Sequence, residues 1–305
     1  MIVVAGEALI DLIPTPGGDL AVSVGGGPFN TARWLARLGA PVSFLGAVAS
    51  DLLGERIRRS LVDCGVALNL VIDASHPTTL ALAQLDAAGA ARYSFYADAT
   101  SVRDLAPELV PDTVLDGIEA LHVGGVGMTL EPSATAVEEL VAGAHAAGAL
   151  VMLDPNVRPS LIAERGEYLA RLTRVLTHTD ALKLSVDDLR WIEPKEPVQT
   201  AVRALLNAGP RVVLLTDGPG GATVFSQDAV TAVPASQVDV VDTIGAGDAF
   251  GAGFLAHWHE AGLTRAELAS TELVVAATRF AATVSGVACA HQGATPPSGL
   301  RELLD

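Results

Sequence analysis

Residues 238–258 read VDVVDTIGAGDAFGAGFLAHW. Val238, Val240 and Val241 are β-branched and read as the end of a strand. Asp242 and Thr243 lead into Gly245, Ala246, Gly247 and Asp248, too glycine-rich for a strand. From Ala249 onward, Phe250, Phe254 and Trp258 fall on one helical face. The unit is therefore strand, glycine turn, helix N-terminus. The first turn of a helix offers unpaired N–H groups and a positive dipole end. Gly245 and Gly247 let an anion approach the backbone, and Asp248 sits at the same end. Amides that hold phosphate oxygens, beside a carboxylate that takes a hydroxyl proton, suit phosphoryl transfer to an alcohol.

Two other readings compete on the stretch alone. An acidic residue in a first helical turn often serves only the dipole. Gly245, Gly247 and Gly251 also spell G-x-G-x-x-x-G, as in a dinucleotide fold. That fold needs a second strand ending in an acidic residue about 20 residues on. Here LTRAELASTELVVAATRFAATVSG follows, which reads as helix.

The chain has 305 residues, 50% hydrophobic and 18% charged, ample for a buried core. Its net charge is -16 and its two lysines are Lys183 and Lys195, so no basic stripe for nucleic acid exists. Anions must be bound locally, by amides, a few arginines and a metal ion. Cys64 and Cys289 form no C-x-x-C pair, so zinc and disulfide frameworks are unsupported and a reduced cytoplasm is expected. The first residues, MIVVAGEALIDLIP, carry Glu7 and Asp11 and no basic n-region, which reads as a strand and not a signal peptide. No apolar run is expected to reach the length of a membrane span. His257 and His259, at i and i+2 on a helix, face different ways and do not form a metal pair. No G-x-x-x-x-G-K-[ST] run exists, so a P-loop is excluded.

Along the chain, strand-like runs alternate with helix-like ones. Runs such as LVMLD (150–154) and VVLLT (212–216) are apolar throughout, as in a parallel sheet covered on both faces. The fold class is α/β. Two places break the alternation, around 11–24 and 78–97, with short alternating patterns and no helix between. TTLALAQLDAAGAARYSFYAD reads as a hairpin turning at 87–90. These segments form either a small sheet standing off the body or an antiparallel edge of the main one. Between them, Gly25, Gly26, Gly27, Pro28, Phe29 and Asn30 precede the helix TARWLARLG. Asn30 offers a donor and an acceptor for hydroxyls. Asp154, Pro155, Asn156, Val157 and Arg158 close a strand, where α/β proteins line their binding crevice. Ser185 and Asp188 begin a helix after another strand, where Ser185 reads equally as a cap.

DTIGAGDAFGAGF resembles the second signature of the PfkB family of ribokinase-like sugar kinases. GGGPFN is similar to its first signature, G-G-x-x-x-N. DPN-x-R is similar to the run in fructokinase-like and 2-keto-3-deoxygluconate-kinase-like branches, and Thr216-Asp217-Gly218 to the family's T-x-G near the nucleotide. The resemblance covers nearly the whole chain. It implies a three-layer ribokinase-like fold in a single domain over 1–305. A small β-sheet lid would come from segments 12–24 and 77–98, and would also be a homodimer contact. The implied activity is ATP-dependent phosphorylation of a sugar with Mg²⁺, and K⁺ as a further ion. Asp248 would be the base, with amides of Gly245, Ala246 and Gly247 on the moving phosphoryl group. A carboxyl of ordinary pKa, near 3.9, would serve as that base. Asp11, Gly25, Gly26, Asn30, Phe95 and Arg158 would hold the sugar. Lys183, Ser185, Thr216, Gly218 and Gly221 would hold the nucleotide. Asp188 stands where relatives carry N-x-x-E, and would hold Mg²⁺ through water. Asp242, Ile244 and the loop around Gly293 would hold the monovalent cation. PTTLALAQLD and YSFY resemble fructokinase-like members, and Ala97 stands where many 2-keto-3-deoxygluconate kinases carry an arginine. Fructose is therefore the expected sugar, with 2-keto-3-deoxygluconate or ribose as alternatives. A sugar sensor that lost turnover is the non-enzyme alternative, against which the intact GAGD turn argues.

Overall fold

A strand that is apolar at every position has no face to offer water, so it belongs in the middle of a sheet covered twice. The computed structural model, which describes residues 1–15, 17–85 and 91–304, has that arrangement. In chain order the strands are β1 (Ile2–Ala5), β2 (Leu9–Pro14), β3 (Leu20–Gly25), β4 (Val42–Val48), β5 (Val71–Asp73), β6 (Leu80–Leu85), β7 (Ala91–Tyr96), β8 (Ala120–Gly124), β9 (Leu150–Asp154), β10 (Ala181–Ser185), β11 (Val212–Thr216), β12 (Ala222–Ser226) and β13 (Val230–Val233). The α-helices are α1 (Gly27–Arg37), α2 (Leu52–Cys64), α3 (Ser133–Ala146), α4 (Arg165–Leu176), α5 (Val186–Ile192), α6 (Val198–Ala208), α7 (Ala246–Glu260) and α8 (Thr271–Cys289).

Nine strands form the main sheet in the order β13-β12-β11-β10-β9-β8-β1-β4-β5. At one edge β11 pairs antiparallel with β12 and β12 with β13, and the other neighbours pair parallel. Side chains alternate between two buried layers. Ile2 and Val4 of β1, Leu150 and Met152 of β9, and Val212 and Leu214 of β11 pack with α1, α2, α7 and α8. Val3 and Ala5, Val151 and Leu153, and Val213 and Leu215 pack with α3, α4, α5 and α6. The period of two along each strand thus builds two cores on one sheet.

The two segments that broke the alternation form a separate four-stranded sheet, ordered β3-β2-β6-β7. They are not an edge of the main sheet. β2 pairs parallel with β6, and the other two pairings are antiparallel. β2 begins at Leu9, somewhat before the expected boundary, and the expected hairpin turn at 87–90 lies outside the described residues.

Two expectations are corrected. Residues 238–241 are not a strand but an extended loop, with Val240 and Val241 65% and 63% exposed. The N–H groups of Val241 and Asp242 go to the carbonyl of Cys289 at the end of α8, so this β-branched run joins no ladder. The second concerns membrane-length runs. α8, at 19 residues, is long and apolar enough to cross a bilayer by length and composition. It packs instead against α7, burying Val274, Ala277, Ala281, Val284 and Ala288 in the core.

Candidate active site

In the parallel part of the sheet the loops after β1, β8, β9 and β11 leave from the carboxyl edge, where α/β folds open a crevice. Two cavities lie there, and the 245–248 turn is the wall between them. Gly245 and Asp248 line a cavity of about 190 Å³. Ala246 and Gly247 line another of about 410 Å³. Gly245 caps α7 with φ 78°, and a Cβ on it would fall 2.6 Å from the Cβ of Ala294. Only glycine meets both demands. α7 then starts at Ala246, three residues earlier than its apolar spacing indicated, so Asp248 lies in its first turn. Phe254 and Trp258 stack 5.4 Å apart behind the turn, both buried, and hold the helix in place.

In the smaller cavity Asp248 meets Asn30. The Asn30 Nδ2 donates to Asp248 Oδ2 at 2.9 Å, and Thr31 Oγ1 donates to the Asp248 carbonyl at 3.4 Å. The cavity lining carries three carboxyl groups, Glu7, Asp11 and Asp248, and one guanidinium, Arg158. Gly26 and Gly27 bring backbone to it, Asn156 a further amide, and Tyr93 and Phe95 reach in from the small sheet. Gly25 stands just behind, and a Cβ there would overlap the Asp11 carboxyl. Arg158 Nη1 is braced on the carbonyls of Asn156 and Val157. Burial pushes the carboxyl of Asp248 up to about 7, against the opposing hydrogen bond from Asn30. Burial likewise lifts Asp11 to about 6, with Arg158 pulling the other way. The expectation of an ordinary base is therefore corrected, because the surrounding protein leaves each of these carboxyls only partly accessible to the water that would stabilise the anion.

The larger cavity has a different lining. Thr216, Gly218 and Gly221 come from the end of β11 and the turn after it, as the sequence indicated, Ala235, Ser236 and Gln237 from the loop after β13, and Val238 and Val240 from the stretch misread as a strand. Phe250 of α7 and Ala282, Ser285, Gly286 and Cys289 of α8 close it. The lining side chains include no charge. An anionic group entering here meets the N-terminus of α7.

The family model for pfkB family carbohydrate kinases matches residues 1–299. The chain belongs to the pfkB family of carbohydrate kinases. It is a sugar phosphotransferase with a ribokinase-like fold. It is 36% identical over 260 residues to a fructokinase of Rhizobium leguminosarum bv. trifolii, covering 84% of this chain and 79% of that protein. A crystal structure of fructokinase with bound ATP from Xylella fastidiosa matches with a TM-score of 0.92 at 30% identity, over 99% of this chain and 97% of that one. A Vibrio cholerae O395 fructokinase in a fructose, ADP and calcium ion bound form matches with a TM-score of 0.88 at 25% identity, over 100% and 98%.

Not every residue the motifs indicated faces a cavity of this kinase. Lys183 lies beneath the turn, its Nζ 2.6 Å from Asp154 Oδ2 in a buried ion pair, and a Cβ at Gly247 would sit 2.8 Å from that nitrogen. Lys183 therefore backs the turn and does not line the nucleotide-sized cavity. Ser185 and Asp188 form a reciprocal capping box at the start of α5. Asp188 also takes the N–H of Val157, so its two oxygens accept from Ser185 N, Ser185 Oγ and Val157 N. That set commits Asp188 to the α5 cap and fixes the DPN-x-R loop to α5. Asp242, Ile244 and Gly293 do meet. Asp242 accepts from Ile244 N at 3.0 Å and Gly293 N at 2.9 Å, which ties the late loop to the anion turn. Among the described residues no group of three His, Cys, Asp or Glu side chains could hold a metal.

Sequence reading missed Glu7, which served there only as evidence against a signal peptide. It is buried after β1, accepts from Gly27 N at 3.1 Å and Gly127 N at 3.2 Å, and faces the sugar-sized cavity. An isolated acid inside an apolar run was the available signal. Asn156 was missed in its role, although its motif was quoted. The α8 residues 282–289 were missed because a cavity wall made of Ala, Ser, Gly and Cys looks like any helix packing face.

Proposed function

We propose that this kinase transfers the γ-phosphoryl group of ATP to a hydroxyl of fructose. The observation that carries the reading is the position of Asp248 and the α7 amides at the shared wall of two cavities of unlike chemistry. The sugar occupies the smaller cavity. Asp11, Asn156, Arg158 and the backbone at Gly26 and Gly27 take its hydroxyls, and Phe95 and Tyr93 pack on its apolar edge. The small sheet acts as a lid, because β7 supplies both rings. ATP enters the larger cavity. Its adenosine lies among Val238, Val240, Ala282, Gly286 and Cys289, and its phosphates run along Gly218 and the N-terminus of α7. Asp248 accepts the proton of the attacking hydroxyl, and the amides from Gly245 to Asp248 hold the phosphoryl oxygens. A base with a pKa near the working pH transfers protons effectively in both directions. Mg²⁺ would be carried by the phosphates and water, since the described residues supply no carboxylate cage. Asp242, with Ile244 and Gly293, is where a monovalent cation would neutralise charge beside the turn.

Support for fructose comes from the relatives' activity and from a cavity lined by hydroxyl-binding groups. The deciding experiment measures ADP release with fructose, ribose and 2-keto-3-deoxygluconate, with and without Mg²⁺ and K⁺. Mg²⁺-dependent ADP release with fructose, well above the other two sugars, is expected. Equal or greater turnover of another sugar would reassign the substrate, and silence with all three would remove the kinase reading.

A further inference from the structure

Arg33 is fully buried on α1, yet its guanidinium donates only to uncharged acceptors. Nη2 reaches Asn30 Oδ1 at 2.7 Å and the Ala294 carbonyl at 3.4 Å. Nη1 reaches Thr295 Oγ1 at 3.1 Å and Ser60 Oγ at 3.2 Å. The ring of Phe29 lies under it, 4.5 Å from the guanidinium carbon to the centroid. Burial draws its pKa down to about 10, which leaves it charged at neutral pH. A buried cation without a carboxylate partner is costly, and a purely structural position would be filled more cheaply by an apolar side chain.

We propose that Arg33 is a positioning residue for phosphoryl transfer, fixing the Asn30 amide toward Asp248 and pinning the 293–295 loop against the anion turn. The proposal rests on the kinase reading above. An arginine can only donate, so Arg33 sets the orientation of the Asn30 amide, and the ionised form of Asp248 accepts from the NH₂ that is left. Arg33 takes the oxygen of Asn30, and the amide NH₂ is left for Asp248. Arg33 lies one turn after Asn30 on the same helix, which makes the pair local. The loop contact acts on the other side. Ala294 touches the space where Gly245 would carry a Cβ, Gly293 N is held by Asp242, and Trp34 Nε1 also donates to the Ala294 carbonyl. One guanidinium therefore joins three parts of the site: Asn30, the catalytic carboxylate through it, and the loop behind the turn.

Without Arg33 the Asn30 amide is free to flip and to offer its oxygen to Asp248, and Asp248 loses a nearby positive charge. The other charged or titratable groups around Asp248 are Glu7 after β1, Asp11 from β2, Tyr93 from β7, Asp154 at the end of β9 with Arg158 in the loop beyond it, and Lys183 from β10. None of these changes in an Arg33 variant.

Arg33→Met and Arg33→Lys test this, with thermal unfolding and ADP affinity as controls for the fold and the larger cavity. In Arg33→Met, kcat should fall roughly tenfold or more through misplacement. KM for ATP should stay within about twofold. The acid limb of the kcat–pH profile should rise by about half a unit or more through the lost charge. Arg33→Lys should return the limb toward wild type but leave kcat low, since one ammonium does not hold Asn30 and Thr295 together. A folded Arg33→Met enzyme with wild-type kcat, or with reduced kcat and an unmoved limb, overturns the proposal. Should Arg33→Met fail to fold, Arg33→Lys decides: low kcat with the limb in place supports it, and wild-type kcat overturns it. The same shift is read in ligand-free protein from the ¹³C resonance of the Asp248 carboxyl. A wild type silent on every sugar would sink the kinase reading and leave that titration able to judge Arg33.

Discussion

On one side of the anion turn the cavity is lined by Glu7, Asp11, Asp248 and Arg158, and on the other by no charged side chain at all. The smaller, charged cavity suits a neutral ligand, and the larger, uncharged one suits a polyanion. The contrast has a physical basis. A sugar offers only hydroxyls, and directional, charge-assisted hydrogen bonds distinguish them best. A triphosphate brings its own charge and counter-ion, so fixed amides and a helix N-terminus suffice, and a chain of net charge -16 keeps its anion binding local. The same contrast governs protonation, because packing carboxyls in the small cavity lifts their pKa values.

The sharpest test of the division is Asp248→Asn, which should lower kcat by roughly 10²-fold or more while ADP binding persists. With the Asp248 carboxyl at about 7 in the free enzyme, wild-type kcat/KM should fall about tenfold per pH unit below that point. A profile flat from about pH 5 to 8 would show that Asp248 is not the base in this environment. A smaller effect is expected from Gly286→Val. A Cβ at Gly286 would lie 2.6 Å from the Ser236 Cβ, so the side chain intrudes on the uncharged cavity. Calorimetry should find ADP bound about tenfold more weakly, at an overpacking cost of about 1–3 kcal/mol, with fructose affinity nearly unchanged. Equal losses for both ligands would break the separation of the cavities.

The smallest effect concerns stability. Asp248 and Asp11 have folded-state pKa values raised from 3.8 to about 7 and about 6, so the folded protein binds these protons more tightly than the unfolded chain. Their contribution to stability is full below about pH 4 and is lost as pH rises through 6 and 7. Asp248→Asn removes the buried charge, and its melting temperature should exceed wild type by about 2–4 °C at pH 8 and match it near pH 4. A variant no more stable at pH 8 than at pH 4, relative to wild type, would mean the folded protein does not hold that proton.

Apolar strand runs, the GGGPFN and GAGD turns and their place at strand ends were legible in the sequence alone, because each is a local demand of backbone and solvent. A strand buried on both faces must be apolar throughout, and an anion turn must lack side chains. From these followed the layered α/β body and the anion turn with Asp248, while the family resemblance pointed to Asn30, Asp11, Phe95 and Arg158, which line one cavity with it, and to Thr216, Gly218 and Gly221, which line the other. Local propensity failed at 238–241, where Val238 and Val240 line a cavity and the N–H groups of Val241 and Asp242 go to the Cys289 carbonyl of α8 and not to a neighbouring strand. It held at Ser185, whose reading as a cap is what α5 shows, while the ligand roles that the resemblance implied for Ser185 and Asp188 compete with the α5 cap and the Val157 N–H. Only the tertiary structure decided that Glu7 faces the site, that α8 closes the larger cavity, and that Arg33 stands behind Asn30. Those facts depend on contacts between segments as far apart as Arg33 and Thr295, and on desolvation, which belongs to the packed interior and to no stretch of chain by itself.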